Sequence, residues 1–202
     1  AGATDSVHLR GLTLTGLGTG LNGIQFTTGG NLAIENCVIR NFANAGLNIT
    51  PSASSSFSVS NTISSNNTSI GISVQPTGTA VVSGVLSNVT ANSNVSGILV
   101  AGSGFSLNVT VAGSGASNNS SVGIAASTAG TALLLSNVVA SNNNTGLAAS
   151  ASSTVRVGQS VVTGNVTGVF TTGGGVLDSY GDNDINGNTT DNTAVLTLIP
   201  KN

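Results

Sequence analysis

The chain has 202 residues, a net charge of −2 and only 5% charged residues, where about 25% is usual. This balance excludes the basic surface that nucleic-acid binding needs, and neither a basic amphipathic helix nor a run of about 20 apolar residues is present to enter a membrane. Because Cys37 is the only cysteine, an internal disulfide and a cysteine-based zinc framework are also excluded. We interpret Cys37 as a small buried residue within a strand.

A glycine followed by a short strand of small and apolar residues recurs along the chain. The step from each of these glycines to the next is nearly constant, at about two dozen positions. They are Gly23, Gly46, Gly71, Gly97, Gly123, Gly146 and Gly168. A near-constant period of this length is typical of a solenoid of stacked coils, and its continuity predicts a single domain over residues 1–202.

Upstream of most of these glycines lies a second segment in which apolar and small polar residues alternate. Such alternation indicates a strand with one buried face. The segments are 9–15, 32–38, 57–63, 105–111, 133–139 and 155–161. The phenylalanines follow the same alternation, so all five are predicted to be core residues: Phe26, Phe42, Phe57, Phe105 and Phe170.

Between the two segments lies an Asn-rich corner, as at 66–67, 92–94, 118–119 and 142–144. Asn tolerates left-handed backbone angles, and amides stacked about 4.8 Å apart can form a hydrogen-bonded ladder. The order strand, corner, glycine, strand and loop predicts an all-β fold. We expect a single-stranded right-handed parallel β-helix of about eight coils, with a length of about 40 Å.

The two ends of the chain depart from the repeat. Residues 176–202 break the pattern and finish with an apolar segment, 194–200, which predicts a last coil or C-terminal cap. The first strand begins almost at residue 1 with no cap before it, and the sequence contains no methionine. We therefore expect a processed chain or a part of a longer one.

Segments 6–16, 23–24, 32–42 and 46–47 resemble the parallel β-helix repeat of the pectate-lyase-like superfamily. More narrowly, the chain is similar to bacterial right-handed β-helix repeat proteins of unknown function, whose C-termini carry a pattern like that at 179–183 and 187–188. The resemblance implies the fold and, because such proteins carry an export signal upstream, an extracellular or cell-surface location. The superfamily also contains lyases and glycoside hydrolases that act on acidic polysaccharides.

An enzyme of that kind needs a particular set of acids. A hydrolase uses two carboxyl groups about 5–10 Å apart, and a calcium-dependent lyase needs several acids and a base. Near the N-terminus, Glu35 is predicted to face outward and to pair with Arg10 or Arg40, with Asp5 and His8 close by. We interpret this patch as a solvated ion pair.

The one dense acidic cluster is Asp178, Asp182 and Asp184. The sequence from Asp182 opens like a calcium loop, D-x-D-x-N-G, but its twelfth position is Thr193 instead of Glu. These acids are weak metal candidates, and we interpret them as turn residues. The sequence thus predicts no catalytic residue, no metal site and no cofactor.

The sequence favours a non-catalytic structural or interaction protein, with glycans, other proteins or copies of itself as partners. One version is end-to-end self-association into filaments, in which the first coil receives the last strand of another copy. The residues at these ends are Val7, Leu9, Leu12, Leu14, Val195, Leu196 and Leu198. Two alternatives stay open: a remnant of a polysaccharide lyase or hydrolase, and a glycan-binding module.

Overall fold

The computed structural model describes residues 1–102, 106–193 and 195–201. Two residues from the predicted strands, Phe105 and Ala194, lie outside this part of the chain. The described residues form 24 β-strands and no helix, so they include no helix that is long and apolar enough to cross a membrane.

The strands, numbered β1 to β24 along the chain, stack into three faces of a solenoid, and all pairings are parallel. The long face contains β1 (Ser6–Arg10), β4 (Asn31–Glu35), β7 (Ser55–Ser60), β10 (Val82–Ser87), β12 (Leu107–Ala112), β15 (Thr131–Ser136), β18 (Thr154–Gly158), β21 (Val176–Ser179) and β24 (Leu196–Leu198). The glycine face, which carries the recurring glycines, contains β3 (Asn22–Phe26), β6 (Ala45–Ile49), β9 (Ile70–Val74), β11 (Ser96–Ala101), β14 (Val122–Ser127), β17 (Thr145–Ser150), β20 (Thr167–Thr172) and β23 (Thr190–Asn192).

The short-strand face completes each coil. It contains β2 (Thr13–Thr15), β5 (Val38–Arg40), β8 (Ile63–Ser65), β13 (Gly115–Ser117), β16 (Val139–Ser141), β19 (Val161–Thr163) and β22 (Asp184–Ile185). Thr90 joins its two halves, because it bridges Ile63 on one side and Gly115 on the other. The predicted all-β parallel solenoid of about eight turns is therefore confirmed.

Most coils have three strands where the alternating pattern predicts two, and the coil of β10 and β11 has the Thr90 bridge in place of the third. The segment 57–63 is divided into β7 and β8 at Asn61, whose φ is 48°. Residues with positive φ also divide other coils at this corner: Gly11, Asn36, Asn88, Gly113, Asn137 and Gln159. A strand cannot continue through such a backbone conformation, so the chain turns there although the apolar alternation runs on. The placement of Cys37 within a strand is wrong for this reason, since it follows Asn36 between β4 and β5, although it is buried as predicted.

One apolar core fills the solenoid. On the long face, one inward row runs from Val7 to Leu196 and a second from Leu9 towards the last coil. Of the phenylalanines predicted to be core residues, three are buried: Phe26, Phe42 and Phe57. The prediction for Phe170 is wrong, because it stands in the outward row of the glycine face that begins at Gln25, and it is 41% exposed.

The predicted asparagine ladder is confirmed at the corner between the short-strand face and the glycine face. Each side-chain amide donates to the side-chain oxygen of the next member, at 2.8 to 3.3 Å. The members are Asn67, Asn94, Asn119, Asn143, Asn165 and Asn188. The preceding residues Asn66, Asn118 and Asn142 take the left-handed φ and stay exposed. One Asn of each pair therefore makes the turn while the other joins the coils.

The last coil adds strands to all three faces. β21 and β24 extend the long face, β22 the short-strand face and β23 the glycine face. After β24 the C-terminal tail, residues 199–201, bends back beside the long face. There Pro200 and Lys201 line a cavity with Leu134 and Gly158, and Lys201 pairs with Asp182. The C-terminal segment thus lies beside the outward surface of β18 and β21.

Candidate functional site

The outward side of the long face carries an open groove of about 500 Å³. It crosses β7, β10, β12, β15 and β18, and these five strands give it a length of about 20 Å along the solenoid. One bordering row of side chains consists of Ser56, Ser83, Asn108 and Ala132. The other consists of Val85, Thr110, Leu134 and Arg156.

Gly84 is one of the inward positions whose backbone lines the groove. This glycine occupies an inward row between Phe57 and Val109, where the other coils place an apolar side chain. A Cβ atom at Gly84 would overlap the Phe57 ring. The large ring of one strand therefore fills the core space left by the glycine of the next.

A second cavity of about 420 Å³ adjoins the groove, and Leu134 lines both. Tyr180 lies against Gly158, since a Cβ atom on that glycine would be 2.9 Å from the ring carbon Cδ2. Pro200 and Lys201 of the tail form part of the wall. The groove therefore leads towards an aromatic ring beneath the C-terminal tail.

Two ion pairs lie at this end of the long face. The Arg156 Nε atom is 3.6 Å from Asp178 Oδ2, and the two residues are direct neighbours in one outward row. Lys201 contacts Asp182, whose other carboxylate oxygen accepts a 3.1 Å hydrogen bond from the backbone N–H of Gln159. The hydrogen bond from Lys201 is the main cause that lowers the pKa of Asp182. Each cation at this end thus has its own acid.

The predicted acidic cluster does not come together as a metal site. Asp178 lies on the long face and pairs with Arg156, whereas Asp184 begins β22 on the short-strand face and is exposed. Asp182 is engaged by Lys201. Among the described residues, no group of three or more His, Cys, Asp or Glu side chains could hold a metal ion.

The N-terminal patch contains a shared ion pair on β1 and β4. Glu35 lies 3.3 Å from His8 Nε2 and 3.8 Å from Arg10 Nε. Of its two predicted partners, the observed one is Arg10, while Arg40 stands on the short-strand face. The Asp5 carboxylate instead accepts a hydrogen bond from the N–H of Gly2. All three paired side chains are more than one third exposed, as in a solvated bridge that contributes little stability.

The residues predicted for end-to-end contact lie at opposite ends of the solenoid. Four of them are half-buried and pack against the core: Val7, Leu9, Leu14 and Leu196. The other three are exposed, namely Leu12 (37%), Val195 (86%) and Leu198 (75%). Both ends therefore combine half-buried rows with exposed apolar side chains.

The groove residues were missed in the sequence because they are outward positions of short strands that lie a whole coil apart along the chain. A signal did exist, since no Asp, Glu, Lys, Arg or His occurs between Arg40 and Arg156. That gap means that the middle coils present only uncharged side chains. Arg156, which closes the gap, lies at one end of the groove.

Comparison with known proteins supports the architecture. A family model described as the right-handed β-helix region matches residues 22–190, which is most of the chain. Neither the curated proteins nor the solved structures include a significant match. With its parallel three-faced coils, its asparagine ladder and this match, the chain belongs to the right-handed β-helix family.

Proposed function

We propose that this protein is a non-catalytic interaction protein of the cell surface or extracellular space, and that it binds a glycan chain along the groove of the long face. The observation that carries the proposal is the composition of the groove. Its hydroxyl, amide and apolar side chains are Ser56, Ser83, Asn108, Thr110, Val85 and Leu134. Sugars offer hydroxyl groups and apolar ring faces, and sites for such ligands combine apolar walls with a few placed polar groups.

The shape of the groove supports a polymer as the partner. The same outward positions repeat at each coil, about 4.8 Å apart, so the groove presents side chains at a constant spacing along the axis of the solenoid. A linear chain with a short repeat can contact successive coils in the same way. Each weak contact is then multiplied along the ligand.

The charged groups near the groove favour binding over catalysis. Hydrolysis of a glycosidic bond uses two carboxyl groups about 5–10 Å apart, one of them protonated. Here Asp178 and Asp182 are each engaged by a cation. The alternative is a lyase or hydrolase remnant with its site at the N-terminal patch. In that patch one carboxylate, Glu35, contacts His8 and Arg10.

The test is a binding measurement on a panel of soluble glycans with a variant that blocks the groove. Thr110→Lys places a long cation in the middle of the groove, and we expect it to weaken glycan binding at least about tenfold by occlusion. Val139→Lys is the matched control, because it adds the same charge at an exposed position of the short-strand face. Equal loss in both variants, or no glycan bound by the wild type, would overturn the proposal. Product release from any glycan would restore the enzymatic alternative.

A second candidate function is end-to-end self-association. Among the described large apolar residues, the four most exposed lie in the first and last coils: Leu17, Leu21, Val195 and Leu198. The half-buried Val7 and Leu196 also belong to one inward row, which a head-to-tail contact would continue. Light scattering and electron microscopy of the purified chain test this function, and a monodisperse monomer at high concentration counts against it.

A further inference from the structure

We propose that the groove selects uncharged glycans, and that Asp178 determines this selectivity by neutralising Arg156. The inference rests on the proposed glycan binding at the same groove and adds the class of the ligand. It concerns the ion pair of Arg156 and Asp178, which lies at one end of the groove.

The lining of the groove carries very little charge. Of the described residues that line the groove, Arg156 is the one with a charged side chain. A polyuronate carries a carboxylate on each sugar, and removing these charges from water is unfavourable unless cations meet them. A groove whose single cation already has a carboxylate partner offers no such contact. A neutral chain has no such requirement.

The ion pair of Arg156 and Asp178 neutralises the one charged side chain of the groove. Asp178 follows Arg156 in the outward row of the long face, with 3.6 Å between Nε and Oδ2. The Asp178 side chain is only 13% exposed, whereas that of Arg156 is 46% exposed. The acid is therefore set into the face next to the groove, and the more exposed guanidinium is already matched by it.

The neighbouring cavity repeats this arrangement. Lys201 borders that cavity, and its partner Asp182 lines the same wall. An anionic ligand that approached Arg156 or Lys201 would therefore meet a competing carboxylate beside each cation. Like charges close to a ligand carboxylate act against binding, which gives specificity by repulsion as well as by attraction.

The experiment compares Asp178→Asn with Asp184→Asn. Both substitutions remove one negative charge, but Asp184 is an exposed residue on the short-strand face, away from Arg156. The probes are a neutral glucan and polygalacturonate, each at low and high salt. We expect the wild type and Asp184→Asn to bind the glucan alone. Asp178→Asn should gain binding to polygalacturonate by about tenfold, since a freed guanidinium makes charge-assisted hydrogen bonds, and high salt should remove the gain.

A second substitution at Asp178 tests whether the first variant is misfolded, and a double variant tests whether the gain depends on Arg156. Asp178→Thr suits a strand position and should give the same gain, whereas Arg156→Gln combined with Asp178→Asn should abolish it. The inference is overturned if Asp184→Asn gains as much, if neither Asp178 variant gains, or if the wild type prefers polygalacturonate, and in these cases groove binding itself stands. If the wild type binds no glycan of either class, the proposed function falls and this inference falls with it.

Discussion

Six of the seven recurring glycines, from Gly46 to Gly168, are explained by their contacts with the asparagine ladder. A Cβ atom on Gly123 would lie 2.7 Å from the carbonyl oxygen of Gly146 and 2.8 Å from Asn143 Nδ2. The ladder amide of the next coil and the neighbouring backbone thus occupy the place of a side chain. These glycines recur once in every coil because the ladder contacts the adjacent strand once in every coil.

We expect Gly123→Ala to lower the free energy of unfolding by about 2 kcal/mol, since overpacking a close-packed interior displaces its neighbours. Gly115→Ala is the matched control, because a Cβ atom there meets no atom within 4 Å. That variant should be neutral or slightly stabilising. Chemical denaturation of both variants and the wild type gives the comparison. Equal stability of the two variants would contradict the role given to the ladder.

Asp191 completes the ladder at its C-terminal end. The amides donate in one direction along the solenoid, and the last of them, Asn188, donates to Asp191 Oδ1 at 3.0 Å from Nδ2. The backbone N–H of Asn188 donates to the same oxygen at 2.9 Å. An ionised carboxylate only accepts hydrogen bonds, so the row ends without an unpaired donor. The sequence showed Asp191 only as one of six acids, because the direction of the ladder is visible only in the structure.

At the scale of elements, Lys201 of the C-terminal tail pairs with Asp182, which follows β21. The hydrogen bond from Lys201 lowers the pKa of Asp182 below its ordinary value of 3.8. A carboxyl group whose pKa falls on folding stabilises the folded state above the unfolded pKa, and this contribution is lost as the pH falls through the folded pKa. The contribution of this pair to holding the tail should therefore be present at neutral pH and be lost as the pH falls below about 4.

Fluorescence of Tyr180, the one tyrosine of a chain that has no tryptophan, reports on the tail, because Tyr180 shares a cavity with Pro200 and Lys201. We expect its emission to change as the pH falls below about 4. Asp182→Asn should show the acid-form signal already at neutral pH. Asp191→Asn is the control and should keep the wild-type profile, and an unchanged profile in Asp182→Asn would contradict the docking role of the pair.

The strands show which parts of the fold can be read from the sequence. The period and the alternation predicted the solenoid and its core, since both follow from stacking one coil on the next. The strands of the short-strand face were missed, because the turn residue before them differs from coil to coil: Gly11, Asn61 and Gln159 occupy equivalent places. The error at Phe170 has a different cause. The position after each recurring glycine points inward, so Phe170, which follows Val169 after Gly168, had to point outward with Gln25.

The candidate site could be predicted less well than the fold. Inward positions are marked by apolar residues in nearly every coil, whereas outward positions tolerate Ser, Val, Thr or Leu, as Val85, Thr110 and Leu134 show. Which outward residues share a row depends on the register between strands, and the slightly unequal steps between the recurring glycines do not specify it. The ion pair of Arg156 and Asp178 could not be predicted for the same reason. Its members are a whole coil apart in the sequence and meet only through the pairing of β18 with β21.

At the scale of the whole molecule, the charged residues and the most exposed apolar residues both lie towards the ends. The coils between Arg40 and Arg156 are uncharged, and Leu17 and Leu198 lie among the most exposed apolar residues of the described chain. Charged residues on a terminal strand, such as Arg10 on β1, oppose strand pairing with another molecule. Exposed leucine and valine favour it. Self-association of this chain therefore depends on which of the two effects is larger.

We expect the apolar effect to be larger, because a head-to-tail contact would bring Leu196 and Leu198 against Val7 and Leu9 in the register that already relates successive coils. Light scattering should then show a mass that rises with concentration. Sulfate should strengthen the contact, as it does apolar burial in general, and sodium chloride should not weaken it. Leu198→Asp should keep the chain monomeric, because the contact would bury an unpaired charge. Val166→Asp, at a 54% exposed lateral position, should associate as the wild type does; if it blocks association equally, or if the wild type stays monomeric, the ends are not the contact.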